Sequence, residues 1–180
     1  MRTKRFIGAL IGAVTLATGL LTGATPAAAK PVGPSLSAAA QAEIASGNAV
    51  YIDAATLAAT GCGSACDGKN PYSFKVYYSG SSYRYCYDDR RTVEYQNPAA
   101  GFPKLELLAS AACRTAWTRL TPAGATVPRI ESYTTSGALR TSYHGFVQSN
   151  WTQMVNGAGY GQKACMSQGS TAACTFKYFM

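Results

Sequence analysis

The side chains able to carry acid–base or nucleophilic chemistry are few in this sequence, and their spacing narrows what they can do. His144 is the one histidine. Any Ser-His-Asp or Cys-His arrangement must therefore use it, and no Gly-x-Ser-x-Gly elbow stands in the chain. Asp88 and Asp89 are adjacent. On a strand they would point to opposite faces and fail as a glycosidase pair, and on a turn they could at most hold a cation weakly. Glu131, Arg140 and His144 offer the residue types of a secreted ribonuclease, but no motif surrounds them. No catalytic residue is assigned on this reading, and no cofactor or metal is expected.

The six cysteines are Cys62, Cys66, Cys86, Cys113, Cys165 and Cys174. Cys62-x-x-x-Cys66 could open a zinc site, but a lone histidine and an even cysteine count favour three disulfides in an oxidising compartment. The spacing does not choose among the pairings. Cys165 and Cys174 do flank Gln168-Gly169-Ser170 and could close a short hairpin.

Binding chemistry is better supplied. Seven tyrosines, Tyr72, Tyr77, Tyr78, Tyr83, Tyr85, Tyr87 and Tyr95, fall inside 24 residues, interleaved with Lys75, Arg84, Arg90 and Arg91. Tyrosine joins a broad apolar face to a polar tip, which suits protein interfaces and stacking on sugars. Strand alternation would put Tyr83, Tyr85 and Tyr87 on one face and Arg84 with Cys86 on the other. The tyrosine face is read as either a binding platform or half-buried packing.

The elements that must position these residues begin after a leader. Arg2, Lys4 and Arg5 precede an uncharged apolar run from residue 6 to about 21 and an Ala27-x-Ala29 site, the pattern of a cleavable signal peptide at 1–29. The three basic residues of the leader leave thirteen Lys and Arg against eight Asp and Glu, a mature charge of about +5. The remaining basic residues are scattered, which argues against a nucleic-acid face. No later stretch is long and apolar enough for a membrane helix.

Residues 30–60 are rich in Ala, Ser and Pro and read as a flexible N-terminal extension with a short Ser-capped helix over 38–44 that stops at Gly47. Ile44, Val50, Tyr51, Ile52 and Leu57 are more apolar than a spacer needs, so the segment is also a candidate to order on a partner. Residues 61–180 switch to short β-prone runs at 73–78, 92–96, 105–109, 116–120, 126–134, 139–148, 151–155, 163–166 and 175–179. Ser136-Gly137 and Asn156-Gly157 mark tight turns. The expectation is an all-β domain, a small disulfide-stapled antiparallel sandwich or barrel with an extended or partly helical N-terminal segment, anchored by Trp117 and Trp151.

Cys66-Asp67-Gly68-Lys69-Asn70-Pro71, then Cys86, Leu105-Glu106-Leu107 and the run from Ser110 through Cys113 to Ala116-Trp117, resemble an exported, mainly actinobacterial domain-of-unknown-function family. Its members carry a Cys-Asp-Gly-Lys-Asp-Pro loop and a Ser-x-x-Cys-x-x-Ala-Trp segment. The resemblance covers residues 62–120 well and the 164–175 end loosely. Asn70 stands where the family loop has a second aspartate, which would weaken a cation site. An Asp67-Gly68 turn exited by Pro71 explains the loop as well.

These observations imply a secreted, extracellular, non-enzymatic binding or adaptor protein that docks onto a larger exported protein. Ile44, Val50, Tyr51, Ile52, Tyr83, Arg84, Tyr85 and Tyr87 are its candidate binding residues. By analogy with the toxin particles that actinobacteria export against competitors, it would be a subunit of such an assembly. A cell-wall or carbohydrate binder is the alternative, and a secreted ribonuclease or wall hydrolase is the third reading. An exported protein partner is expected, a cell-wall polymer is a second candidate, and neither nucleic acid nor membrane is expected after signal cleavage.

Overall fold

Two strands that are buried on both faces set the layering of this chain. A computed structural model describes residues 35–180 apart from Ala99, Ala125 and residues 146–148. The expected signal peptide and residues 30–34 lie outside the described residues. Along the chain run α1 (Ala38–Ala45), β1 (Ala49–Tyr51), α2 (Ala54–Thr60) and a 3-10 turn at Gly63–Cys66. There follow β2 (Lys75–Ser79), β3 (Ser82–Tyr85), β4 (Arg90–Gln96), β5 (Lys104–Ser110), β6 (Thr115–Thr121), β7 (Val127–Tyr133), β8 (Leu139–His144), β9 (Val155–Asn156), β10 (Gly161–Gln168), β11 (Thr171–Cys174) and β12 (Tyr178–Phe179).

The strands make three sheets: β1-β2-β3, β4-β5-β6-β9, and β11-β10-β7-β8 with β12 also paired to β10. Leu105, Leu107, Ala116 and Leu120 of the middle sheet pack with Ile130, Ala164 and Met166 of the third. From the opposite face of the middle sheet, Leu108 and Trp117 pack with Val76, Phe74, Cys86 and Met154. β5 and β6 thus sit between two apolar layers, and residues 105–110 are buried without interruption. A strand covered on both faces reads as a continuous apolar run instead of an alternation. The all-β expectation holds in the form of three stacked sheets that do not close into a barrel. All pairings are antiparallel except β1 with β2, which is parallel.

The cysteines pair as Cys62–Cys66, Cys86–Cys113 and Cys165–Cys174. The last closes the β10–β11 hairpin, where Cys165 and Cys174 are direct register partners, as the spacing suggested. The Cys62-x-x-x-Cys66 pair that could have opened a zinc site is a disulfide.

The N-terminal region differs from a flexible extension. The Ser37 hydroxyl accepts from Ala40 N at 3.2 Å to cap α1, and Asp53 Oδ1 accepts from Thr56 N at 2.9 Å to cap α2; such caps satisfy amides that a helix start leaves unpaired. Residues 49–51 then join β2 in exact order, Ala49 opposite Lys75 and Tyr51 opposite Tyr77. Gly61 ends α2 at φ +69, and a Cβ there would lie 2.1 Å from the Cys113 carbonyl oxygen. Only glycine permits that approach, which lets Cys62 N donate to the same oxygen at 3.0 Å. Residues 38–60 are thereby built into the domain because their partners, β2 and the Cys113 turn, lie far along the sequence.

Several smaller expectations shift. The run at 151–155 forms only an isolated bridge at Trp151 and the first residue of β9. The turn expected at Asn156-Gly157 falls on Ala158-Gly159, with Tyr160 N donating to Gly157 O. Trp117 is fully buried, whereas Trp151 is half-buried at the rim of the core.

Candidate functional site

The tyrosine-rich segment is split by the fold. β3 ends at Tyr85, so Tyr83 and Tyr85 share a face of the first sheet while Tyr87 lies in the turn that follows. Tyr83 stands opposite Tyr77 on β2, with ring centroids 5.3 Å apart, and meets Tyr85 edge-on at 5.5 Å. α1 supplies Glu43, which accepts from Lys75 Nζ at 2.5 Å and Tyr77 Oη at 2.8 Å. The Lys75 bond, then the Tyr77 bond, hold the Glu43 carboxyl below its ordinary value. Lys75 also lies 4.8 Å from the Tyr83 ring centroid. Tyr83, 43 % exposed, is the most exposed member of this cluster. Tyr87 instead stacks on Tyr72 at 4.0 Å, Tyr72 reaches Trp151 at 4.6 Å, and Arg90 covers Tyr87 at 3.5 Å.

The apolar residues of the N-terminal segment, candidates for ordering on a partner, pack within the chain. Val50 and Ile52 pack on the core between the first and middle sheets. Ile44 and Tyr51 pack around Ala40, Ala49 and Tyr77 beneath α1. Arg84 points away from Tyr83 and lies 4.8 Å from the Tyr78 ring.

The Cys66–Pro71 loop is a tie between the 3-10 turn and the third sheet. Asp67 accepts from Arg140 Nη1 at 2.6 Å and Nη2 at 2.9 Å, and its Oδ1 also accepts from Asn156 N at 2.7 Å. A planar guanidinium donating two parallel bonds to a carboxylate is the strongest common form of ion pair. Gly68, at φ +73 and under the Tyr143 ring, donates its N–H to the Met154 carbonyl. Lys69 Nζ donates to Gly47 O, and Asn70 Oδ1 accepts from Tyr72 N at 2.9 Å. The loop therefore follows the turn reading.

The ribonuclease-type set does not come together. Glu131 on β7 stands opposite Ser142, beside the Arg129–His144 pair. A register shift in β8 follows, and Arg140 crosses to Ser132 Oγ and Asp67. Glu131 is engaged by Arg129 at 2.7 Å and by Tyr133 Oη at 2.5 Å. Asp88 and Asp89 lie in the β3–β4 turn. Asp88 accepts from Tyr85 N, and Asp89 accepts from Ser110 Oγ and Ala112 N, so both serve the turn that holds Cys86 to Cys113.

The surface that sequence reading missed is at the C-terminal end of the third sheet. Leu139, Tyr133, Gly161 and Phe179 are successive register partners across β8, β7, β10 and β12, so they share one face. Gly161 has no side chain, and the Phe179 ring and Lys177 stem fold over it. Lys177 Nζ lies 4.2 Å from the Tyr133 centroid, and Lys163 Nζ lies 5.9 Å from it on another approach. Phe179 and Leu139 are 52 % and 55 % exposed. Nearby in sequence, Phe176 is 83 % exposed and flanks, with Tyr95, a cleft of about 230 Å³. The signal available in the sequence was the terminal Phe176-Lys177-Tyr178-Phe179 run, whose three aromatics do not fit one strand face.

Fold and surface together define a disulfide-stapled, three-sheet β protein with exposed aromatic side chains at one end of its third sheet. No helix among the described residues is long and apolar enough to cross a membrane. The chain belongs to the family described as protein of unknown function (DUF2690), which matches residues 64–171, from the 3-10 turn to the start of β11. No curated protein and no solved structure matches the chain.

Proposed function

We propose that this is a secreted, non-enzymatic adaptor that docks onto a larger extracellular protein through the aromatic face at the C-terminal end of its third sheet. The observation that carries the reading is the exposure of Leu139 and Phe179 on one sheet face, with Phe176 exposed beside the Tyr95 cleft, on a frame tied by three disulfides. Large aromatics on a rigid surface are the usual anchors of protein interfaces, because burying them gains much area at little entropic cost. Lys163 and Lys177 beside them call for a partner whose apolar patch is rimmed by acidic side chains. Commitment of Arg140 to Asp67 and of Glu131 to Arg129 and Tyr133 supports a non-enzymatic role.

The leader and the disulfides support export, after which the mature chain begins at Lys30. The Cys-Asp-Gly-Lys-Asn-Pro loop and Ser-x-x-Cys-x-x-Ala-Trp segment belong, on this reading, to the signature of an actinobacterial family. An exported antibacterial toxin particle is the kind of assembly such a subunit would serve. The test is to recover the secreted chain from its host's culture supernatant, as wild type and as Phe176→Ser with Phe179→Ser. A stoichiometric protein partner held by the wild type in salt and lost by the folded variant is expected. Equal recovery of the partner by both forms would rule out this face.

A further inference from the structure

The inward side of the first sheet carries a charge that the described residues do not neutralise. On β3, Arg84 stands opposite Val76, which is fully buried. Its side chain therefore leaves the sheet on the core side, while Tyr83 and Tyr85 leave it on the other. Tyr78 packs against the same core cluster as Val76, and the Arg84 guanidinium lies 4.8 Å from its ring centroid. Between this pair, α2 and the β5–β6 turn is a cleft of about 310 Å³, to which α2 gives Ala54, Leu57 and Ala58 and the turn gives Ala111 and Ala112. The cleft shares no residue with the docking face of the third sheet.

Its walls are held from several sides. The Cys86–Cys113 disulfide joins the end of β3 to the turn. Asp89 Oδ2 accepts from Ala112 N at 2.8 Å, and Arg114 Nη1 donates to Ala59 O at 2.6 Å, tying the turn to the end of α2. Asp53, which precedes Ala54, is turned to Thr56 N. The acids beside the cleft are thus spent on backbone amides. The ion pairs among the described residues engage Arg119, Arg129 and Arg140, and none includes Arg84. Arg84 Nε is sealed from solvent without a hydrogen-bond partner. The two Nη groups also lack a partner among the described residues but are not sealed as Nε is, which leaves the forked end of the guanidinium open beside Tyr78 in the cleft. A cation held against apolar surface without a counter-charge is costly, and a carboxylate that meets both prongs offsets that cost most fully.

We infer that this cleft binds the C-terminal carboxylate of a polypeptide whose last residue is small, such as alanine. The carboxylate accepts from both Nη groups of Arg84, and the terminal side chain lies among Ala58, Ala111 and Ala112. One guanidinium matches one carboxylate in charge and shape, whereas a phosphate dianion would stay half-neutralised against aliphatic walls. An internal aspartate or glutamate would bring two peptide groups toward those walls, and a chain end brings one. The volume is at the lower end of small-molecule sites, which limits the buried part of the ligand to about one or two small residues. The assignment does not depend on the aromatic docking face.

The test follows backbone amide shifts of the purified chain during titration with N-acetyl-Ala-Ala, its C-terminal amide, its D-Ala-D-Ala counterpart, an Ala-Glu-Ala peptide blocked at both ends, and inorganic phosphate. Arg84→Met keeps the aliphatic stem and removes the charge. Ala58→Leu fills the cleft from an exposed helical position that suits leucine. Saturable binding of N-acetyl-Ala-Ala is expected, with a roughly millimolar Kd for so small a ligand, and with shifts centred on Leu57, Ala111 and Ala112. The amide form, the blocked glutamate peptide and phosphate should each bind at least about tenfold more weakly to the wild type, and N-acetyl-Ala-Ala should bind as weakly to both variants. Arg84→Met should unfold at the wild-type temperature or above it, because this charge serves the ligand and not the fold. Absence of saturable binding, equal binding of the amide, the glutamate peptide or phosphate, or undiminished binding by either variant would overturn the assignment. Tighter binding of the D-Ala-D-Ala form would overturn the polypeptide source and move the ligand to cell-wall peptides.

Discussion

Breaking the Asp67–Arg140 pair should loosen the whole junction between the 3-10 turn and the third sheet. The two side chains are 14 % and 20 % exposed, joined by two charged hydrogen bonds, with a third bond from Asn156 N to Asp67. Removing one member of a buried pair costs about 3–5 kcal/mol, because the survivor stays desolvated without its partner. With a fifth of Arg140 still in water the lower limit applies, so Asp67→Ala should cost about 3 kcal/mol. Arg140→Ala should cost about as much, since it also gives up Ser132 Oγ and the Tyr160 ring 4.5 Å away. Asp67→Asn keeps an acceptor for Asn156 N and should cost about 2 kcal/mol, the worth of a hydrogen bond to a charged group. The double variant should show a coupling of about 2 kcal/mol between the two sites. Urea unfolding with disulfides intact measures all four forms, and Asp67→Ala should also lower Tm by roughly 10 °C in a domain of this size. A cost below about 0.5 kcal/mol for Asp67→Ala, the level of an exposed pair, would refute the reasoning.

The disulfides should rank by the loop each closes. Cys86–Cys113 spans 27 residues, Cys165–Cys174 spans 9 and Cys62–Cys66 spans 4. Chain entropy then gives losses of about 3.5, 2.7 and 2 kcal/mol for pairwise alanine variants, read by urea unfolding. Burial pushes the Glu106 carboxyl up, but hydrogen bonds from Arg119 and Lys104 outweigh it and hold it below the ordinary 4.5. Its stabilisation is therefore present above that value and lost as pH falls through the lower folded value. Glu106→Gln should destabilise at neutral pH and flatten the acid limb of a Tm-against-pH curve. The hydrogen bond from Tyr133 to Glu131, followed by burial, pushes the tyrosine up to about 12 from 10.0. Stability from this bond is present below the unfolded value and declines as pH rises toward the folded one. Burial also raises Tyr72, Tyr77 and Tyr85, so an absorbance titration should show several tyrosines ionising late, and Tyr133→Phe should reduce that late component by one tyrosine.

Much of the β architecture was legible because its signal is local. The leucine run of β5, the turn at Ser136-Gly137 and the Cys165–Cys174 hairpin all lie within a few residues of their partners. What was hidden depends on distant segments. Residues 49–51 look like spacer until β2 arrives to pair with them in parallel, and Val50 looks like a loose apolar residue until Trp117 and Leu108 are placed beneath it. Asp67 finds Arg140 only after a register shift in β8 turns that arginine to the other face. Tyr87 was grouped with Tyr83 and Tyr85 because nothing in the sequence marks the end of β3 at Tyr85. The exposed Phe176 and Phe179 were read as part of a strand, since apolar residues near a chain end give no sign of which side water occupies. Pairing partners and solvent exposure are both properties of the assembled layers, and neither is written in the spacing.

The most direct test of the docking claim is the native mass of the chain in unfractionated culture supernatant from its own host, measured by size-exclusion chromatography with light scattering and detection of the chain. The adaptor reading predicts elution well above the mass of a single chain, returning to the single-chain position for Phe176→Ser with Phe179→Ser. Elution of the wild type as a free monomer at its native concentration would contradict it.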